Sequence, residues 1–171
     1  STLITLAPSF KIVPVDAFPC APEDHPWHPL GTQTWVNWKR LRDAALLPLA
    51  SGEDAKFLRT PWWKGQPSGP LEIVAWGGTV IVEGCYSLRR ELRDLYDLRI
   101  WVECPVDEAV ENAIRRDGEA VRKSWTEAYA PNETSYIESH NPQGAADLVV
   151  LNSGSKRFEL IKDEKVHSDP I

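Results

Sequence analysis

The sequence predicts a mixed α/β fold in which parallel strands alternate with crossover helices. Residues 79–82 and 146–151 are runs dominated by aliphatic residues, which is typical of strands covered on both faces. Between them, residues 88–95 and 108–116 carry apolar residues at helical spacing. An alternation of strand and helix along the chain favours a parallel sheet with helices packed against it.

Composition bounds the class of protein. The 171 residues are 42% hydrophobic and 26% charged, which is typical of one globular domain over residues 1–171. The net charge of -6 argues against a general nucleic-acid binder. No apolar run has membrane-spanning length and no signal peptide is evident, so we expect a cytoplasmic protein without a membrane partner. The three cysteines predict neither a disulfide nor a zinc site, and the oligomeric state is open.

Two carboxylates follow predicted strands. Residues 1–6 predict a short helix, and residues 11–15 predict a strand that ends at Asp16. The central run at 79–82 ends at Glu83, which is followed by a glycine. Because open parallel sheets bind ligands at the carboxyl ends of their strands, we expect Asp16 and Glu83 on neighbouring strand ends, as base and metal-ordering acid. Alternatively, Glu83 caps the next segment or pairs with an arginine.

The next third of the chain predicts loops around one helix. Residues 20–31 are rich in Pro, His and Trp, which favours a substrate-facing loop over a metal site. Residues 33–49 predict an amphipathic helix with Lys39, Arg40, Arg42 and Asp43 facing outward. A short strand at 55–59 leads to Trp62 and Trp63, of which we expect one to pack and the other to contact ligand, and residues 64–70 predict a loop.

The last part of the chain continues the alternation. Residues 88–95 predict a helix with a charged outer face, residues 98–103 a strand, and residues 108–116 a helix capped by Asp107. A basic cluster at 115–125 is either a lid that closes on phosphates or a solvated helix face. Residues 131–139 predict a helix with Tyr136 inward, residues 157–161 a strand, and residues 162–171 a loose tail.

Several motifs in this order resemble the uridine kinase family of P-loop kinases. The match covers nearly all of residues 1–151. It rests on Val15-Asp16-Ala17-Phe18, Trp38-Lys39-Arg40-Leu41, Pro48-Leu49, Gly52, Ile81-Val82-Glu83-Gly84-Cys85-Tyr86-Ser87-Leu88, Tyr96-Asp97-Leu98-Arg99-Ile100-Trp101-Val102, Arg116-Asp117-Gly118, Tyr136, Pro142 and Ala146-Asp147-Leu148-Val149-Val150.

The resemblance implies a three-layer P-loop kinase fold, with a five-stranded parallel sheet, helices on both faces and a small lid. It implies ATP and Mg²⁺, and transfer of the γ-phosphoryl group to a ribose 5'-hydroxyl. Asp16 would accept the hydroxyl proton, Glu83 would be the Walker-B-like acid, and Arg115 and Arg116 would be lid arginines. The expected ATP-binding residues are Ser1, Thr2, Arg116 and Arg122, the expected metal ligands are Ser1 and Glu83, and the expected acceptor-binding residues are His25, Trp27, Asn37, Arg59, Trp62 and Tyr86.

The sequence departs from the family at its start and in the acceptor region. The G-x-x-x-x-G-K-[ST] loop that cradles phosphates is absent, although Ser1-Thr2-Leu3 resembles the family residues that come directly after its lysine. We therefore expect a preceding segment that carries the loop. Ala17, Asn37 and Pro61 replace family acids, so nicotinamide riboside, pantothenate or a sugar phosphate are alternative acceptors to uridine. A catalytically degenerate relative that only binds a nucleotide or a partner is the other alternative.

Overall fold

The strands of the protein form three sheets in the part of the chain that the structure, a computed structural model, describes. It describes residues 10–20, 35–60, 67–152 and 158–163. The strands are β1 (Lys11–Pro14), β2 (Ala55–Leu58), β3 (Leu71–Val74), β4 (Val80–Glu83), β5 (Ile100–Glu103), β6 (Leu148–Asn152) and β7 (Phe158–Asp163). The pairs β1–β4 and β5–β6 are parallel, whereas β2–β3 and β6–β7 are antiparallel. The predicted mixed α/β fold with parallel strands is confirmed. The single five-stranded parallel sheet, which would contain both parallel pairs, stays a prediction.

Helices separate the strands along the chain. They are α1 (Trp38–Leu41), α2 (Leu47–Ala50), α3 (Val106–Asp117), α4 (Arg122–Ser124), α5 (Ala130–His140) and α6 (Pro142–Ala145). A π-helical segment, Arg42–Leu46, joins α1 to α2, and a second, Trp125–Tyr129, joins α4 to α5. Within the described ranges, no helix is long and apolar enough to cross a membrane.

The chain divides into two compact units. The described residues of the first are 10–20, 35–60 and 67–87, and those of the second are 88–152 and 158–163. The core of the first unit includes Val13, Val15, Phe18, Leu41 and Phe57, and the rings of Phe18 and Phe57 lie 4.7 Å apart. The single domain expected over residues 1–171 stays a prediction.

Strand β3 is absent from the sequence prediction. It pairs with β2 in the register Ala55↔Val74 to Leu58↔Leu71. Ala55, Phe57 and Val74 are buried, whereas Leu58 and Leu71 are exposed, so this antiparallel pair has one covered face and one open face. Only four residues alternate in β3, and so short a pattern is a weak sequence signal.

The second unit is built on β5, β6 and β7. Leu88, Ala146 and Val149 form a buried cluster against which Tyr96 and Trp101 pack. Asp147 accepts hydrogen bonds from the backbone N–H of Arg99 at 2.7 Å and from its guanidinium at 2.9 Å. This contact holds the start of β6 beside the segment that enters β5. The predicted strands at 146–151 and 157–161 and the inward Tyr136 are confirmed.

Three sequence predictions about local structure are wrong. The helix expected over 88–95 is replaced by tight turns, because the N–H of Leu92 donates to Arg89 and that of Leu95 donates to Leu92, three residues back. Of its expected charged outer face, Arg90, Glu91 and Asp94 are exposed, whereas Arg89 is buried. Helix α3 begins at Val106 after a Pro105 cap, so Asp107 lies inside its first turn. Strand β4 is half-buried rather than covered on both faces.

Candidate active site

The carboxyl ends of β1 and β4 lie side by side. The parallel register runs from Lys11↔Val80 to Pro14↔Glu83. Strand β1 then enters a 3-10 turn, Val15–Ala17, so Asp16 lies two residues beyond the partner of Glu83. Because parallel strands end at the same edge of a sheet, Asp16 and Glu83 belong to one edge. The predicted placement on neighbouring strand ends is confirmed, and the chemical roles of both residues stay predictions.

The backbone around Asp16 is fixed while its side chain is exposed. Val15, Ala17 and Phe18 are fully buried, whereas Asp16 is exposed. The carbonyl of Ala17 accepts a hydrogen bond from the N–H of Thr60 at 3.2 Å. An exposed carboxylate on an anchored backbone is suited to accept a proton from a bound ligand, since positioning is what a general base needs first.

Gly84 brings the two strand ends close together. It follows Glu83 with a φ of 135°, in the region that favours glycine. A Cβ atom at this position would lie 2.8 Å from the Cβ of Val15, the residue before Asp16. A side chain at position 84 would clash with the side chain of Val15. Glycine is therefore required both for the turn after β4 and for the spacing of the two carboxylate-bearing segments.

Asn37 caps a helix that begins later than predicted. The sequence predicts a helix over 33–49, but α1 begins at Trp38, and the Asn37 side chain accepts a hydrogen bond from the N–H of Arg40 at 3.0 Å. The backbone N–H of Asn37 donates to the carbonyl of Phe18 at 2.7 Å. The helix start is thus tied to the segment that follows Asp16. With its carbonyl oxygen engaged as a cap, Asn37 offers a ligand chiefly its NH2 group.

Arg40 lies against the residues that follow β1 and β2, although the sequence predicts that it faces outward. One terminal nitrogen donates to the hydroxyl of Thr60 at 2.6 Å, and the other donates to the carbonyl of Leu58. The guanidinium carbon lies 5.1 Å from the centre of the Phe18 ring. Sequence reasoning missed Arg40 and the buried Thr60 because it began the helix five residues too early and so misplaced the faces of that helix.

Two other expected acceptor residues are engaged within the first unit. The Nε of Arg59 lies 2.5 Å from a carboxylate oxygen of Glu72 on β3, and the Arg59 side chain is 47% exposed. Tyr86 is buried and has a positive φ of 68°, which is uncommon for a bulky residue. A ligand that uses Arg59 must compete with Glu72, and Tyr86 offers a ligand little exposed surface.

The expected lid arginines lie in the second unit, and each contacts a neighbouring side chain. Arg115 donates to the side chain of Asn112 at 2.8 Å, and Arg116 pairs with Asp117 at 2.7 Å. The hydrogen bond from Arg116 lowers the pKa of Asp117 below its usual value. Both arginines lie at the carboxyl end of α3, where Gly118 ends the helix with a φ of 93°.

Arg122 carries two carboxylate partners. Its guanidinium lies 2.7 Å from Glu111 of α3 and 2.7 Å from Glu119 of the turn before α4. The hydrogen bonds that Arg122 donates to Glu119 and Glu111 raise its own pKa, and the same contacts lower the pKa of both glutamates. Arg122 is therefore held by acidic side chains in this structure.

Five of the expected site residues lie outside the described residues. They are Ser1, Thr2, His25, Trp27 and Trp62. In the ranges that the structure does describe, no group of three or more His, Cys, Asp or Glu residues could hold a metal ion. Of the two expected metal ligands, Ser1 and Glu83, the structure describes Glu83. A single carboxylate can suffice for magnesium, because proteins hold this ion by one or two carboxylates together with waters and substrate phosphates.

Comparison with known proteins shows the fold. No family model matches the chain, and no curated protein matches it significantly. The chain is similar to the structure of a possible uridine kinase from Bacillus stearothermophilus, with a TM-score of 0.61, 16% identity, and coverage of 86% of this chain and 76% of that chain. At this identity the likeness shows the fold alone. The chain shares a mixed α/β fold with that structure, and its described strands include parallel pairs. Both findings are compatible with the P-loop kinase-like fold that the sequence predicts.

Proposed function

We propose that this protein is an ATP-dependent phosphotransferase that phosphorylates a hydroxyl group of a nucleoside, such as uridine, or of a related small molecule. The observation that carries the proposal is the parallel register of β1 and β4, which brings Asp16 and Glu83 to one edge. The fold shared with a possible uridine kinase supports it. A cytoplasmic location is part of the same proposal.

The proposed reaction is an in-line displacement at phosphorus. The acceptor oxygen attacks the γ-phosphorus of ATP and forms a new P–O bond, while its proton passes to the carboxylate of Asp16. The bond between the γ-phosphorus and the bridging oxygen breaks, and its electron pair leaves with ADP. Little covalent chemistry falls to the protein in such a reaction, so positioning and charge neutralisation supply most of the rate.

Charge neutralisation would come from magnesium and from arginines. Magnesium, when bound, neutralises negative charge on the phosphates, and Glu83 would orient water molecules of its coordination shell. Arg115, Arg116 and Arg122 would hold phosphate oxygens through their forked donors. Since Asp117, Glu111 and Glu119 contact two of these arginines, phosphates would have to displace carboxylates from Arg116 and Arg122.

The experiment that tests this function is an assay of ADP formation from magnesium-ATP with a panel of hydroxylated acceptors, in which mass spectrometry identifies the phosphorylated product. We expect one acceptor to gain a phosphoryl group, and we expect the variant Glu83→Gln to lose roughly 10- to 100-fold of turnover because a carboxylate that orients the metal shell is lost. ADP formation that no acceptor stimulates, or full turnover by Glu83→Gln, would contradict the proposal.

A second candidate function is nucleotide or partner binding without phosphoryl transfer. The observation that favours it is the engagement of expected acceptor residues with the protein itself: Asn37 caps α1 and Arg59 pairs with Glu72. Calorimetric titration with a non-hydrolysable ATP analogue distinguishes the two candidates when it is combined with the ADP assay. Tight nucleotide binding with no product from any acceptor would favour the binding function.

A further inference from the structure

Arg40 places a positive charge beside the segment that carries Asp16, and no carboxylate in the described residues forms an ion pair with it. The other described arginines of the first unit do have acidic partners: Arg42 pairs with Asp43 at 2.7 Å and Arg59 with Glu72 at 2.5 Å. Arg40 instead contacts the Thr60 hydroxyl, the Leu58 carbonyl and the Phe18 ring, all of which are uncharged. Its charge is therefore oriented by the protein without being neutralised.

Burial makes this charge costly. The Arg40 side chain is partly buried, and burial lowers the pKa of its guanidinium below the usual value. A cation in such a place gains from an anionic partner, because hydrogen bonds to charged groups strengthen as water is removed. The contacts with Thr60 and Leu58 use one N–H on each terminal nitrogen. A guanidinium carries five N–H donors. The remaining donors suit an oxyanion, which arginine binds in a forked geometry.

Two hydrogen bonds tie Arg40 to the proposed reaction site. Thr60 accepts from Arg40 and, through its own N–H, donates to the carbonyl of Ala17, the residue after Asp16. Asn37, which caps the helix turn that carries Arg40, donates its N–H to the carbonyl of Phe18. The guanidinium and the proposed base are thus held by the same short network.

From this geometry we propose that Arg40 determines substrate class: the acceptor carries a carboxylate or a phosphate, which Arg40 binds while a hydroxyl of the same molecule lies near Asp16. The inference rests on the proposed phosphotransferase function and narrows it. It favours hydroxylated acids and sugar phosphates, and it disfavours neutral nucleosides and cationic ones such as nicotinamide riboside. If Arg40 only braces α1 against β2, it has no preference for charge in the ligand.

Matched pairs of probes separate these two roles. Pantothenate and pantothenol share the same hydroxyl groups but differ in a carboxylate, and ribose 5-phosphate and ribose differ in a phosphate. We would titrate each probe into the wild-type protein by calorimetry, and measure its phosphorylation with magnesium-ATP. The charged member of at least one pair should bind roughly 10- to 100-fold more tightly than its neutral counterpart, which is the range for hydrogen bonds to charged groups. The pair that shows the difference identifies carboxylate or phosphate as the recognised group.

Variants on the same helical stretch supply the controls. Arg40→Gln should abolish the difference in affinity between the charged and the neutral probe, whereas Arg40→Lys should retain part of that difference because the positive charge remains. Arg42→Gln, which removes a half-buried arginine paired with Asp43, should leave the difference in affinity unchanged. If Arg40→Gln does not fold, the wild-type pairs and Arg40→Lys still decide the question. The proposal would be overturned if Arg40→Gln still bound the charged probe more tightly than the neutral one. It would also be overturned if Arg40→Gln lost the same factor of affinity for both members of a pair.

The titrations do not depend on phosphoryl transfer, so the two proposals fail separately. If the protein phosphorylates neutral acceptors and both members of each pair bind alike, the inference about Arg40 is wrong and the phosphotransferase function stands. If charged probes bind through Arg40 but no probe is phosphorylated, the anion site stands and the phosphotransferase function is wrong. No binding by either charged probe at ~10 mM would overturn the anion site.

Discussion

At the scale of single residues, the spacing of the two strand ends depends on Gly84. Gly84 has a φ of 135°, and an added Cβ would lie 2.8 Å from the Cβ of Val15. Any other residue at this position would therefore be both strained and too close to Val15. We expect Gly84→Ala to lower the free energy of unfolding by roughly 1–3 kcal/mol, since both backbone strain and overpacking contribute. Phosphoryl transfer should fall as well, because the clash moves Glu83 away from the Asp16 segment. Chemical denaturation and the ADP assay measure the two effects.

Gly78→Ala is the matched control for that variant. Gly78 also has a positive φ, 68°, but an added Cβ there would have no atom within 4 Å. It therefore shares the positive φ without the clash. Equal destabilisation by the two variants would show that contact with Val15 is unimportant, and unchanged transfer in Gly84→Ala would show that the spacing of the strand ends does not matter for catalysis.

At the scale of structural elements, α3 and the turn before α4 hold Arg122 between two carboxylates. Removing them with the double variant Glu111→Gln and Glu119→Gln should make Arg122 available to phosphate. Exposed ion pairs contribute little, so we expect magnesium-ATP to bind only roughly two- to fivefold more tightly. The gain should shrink at ~0.5 M salt, because screening weakens interactions between exposed charges. Titration calorimetry at two salt concentrations measures it.

Glu127→Gln is the control for this double variant. It removes one negative charge from the same part of the chain, but its partner is Lys123, at 3.9 Å, rather than Arg122. This variant reports the effect of net charge alone. If it strengthens ATP binding as much as the double variant does, the contacts of Arg122 have no specific role. Weaker ATP binding by the double variant would mean that the glutamates hold Arg122 in its binding position.

The carboxyl end of α5 should make the second unit sensitive to acid. His140 is buried, and its Nδ1 accepts a hydrogen bond from the N–H of Arg90 at 3.3 Å. Burial, and then the positive charge of Arg89, lower the pKa of His140 below its usual 6.5; the negative charge of Glu91 opposes this shift, and Arg90 and Arg93 add smaller contributions to it. Burial alone would raise the pKa of the facing carboxylate, Glu91, but the hydrogen bond from Arg89 lowers this pKa. Glu91 therefore stays ionised where His140 takes up its proton.

Stability should therefore fall as the pH drops below about 6.5. In that range the unfolded chain binds a proton at His140 that the folded chain resists, which favours unfolding. We therefore expect a lower Tm at pH 5.5 than at pH 7, which thermal denaturation at the two pH values measures. His140→Asn retains an acceptor for the N–H of Arg90 but does not titrate, so it should reduce this decrease. The same decrease in His140→Asn would assign the pH dependence to other groups.

Local sequence patterns predicted the strands better than the turns between them. The aliphatic runs of β4 and β6 predict strands because consecutive β-branched residues favour extended backbone. The spacing of Leu88, Leu92 and Leu95 fits a helix, but it fits successive three-residue turns equally well, and the turns form. Arg89 is buried, with its guanidinium 3.0 Å from Glu91, and the burial of a charged residue depends on tertiary packing that no local pattern contains.

At the scale of the whole molecule, the order of elements predicted the mixed α/β class with parallel strands and two of the four residues discussed at the candidate site. Asp16 and Glu83 could be found from sequence because each follows a strand, and strand ends are where parallel sheets gather their ligand-binding residues. Arg40 and Thr60 could not, since their meeting depends on where α1 begins and on how the end of β2 approaches Ala17. Such contacts join segments about twenty or more residues apart in sequence, a range that periodicity does not reach.

The most direct test of the central claim is turnover by Asp16→Asn under conditions in which ATP and acceptor both bind. Asparagine keeps the size of the side chain but does not accept a proton at neutral pH. With binding retained, kcat should fall by roughly 100-fold or more, as expected for loss of a general base. Full turnover by Asp16→Asn, with product identified by mass spectrometry, would contradict the assignment of Asp16 and the active site built around the ends of β1 and β4.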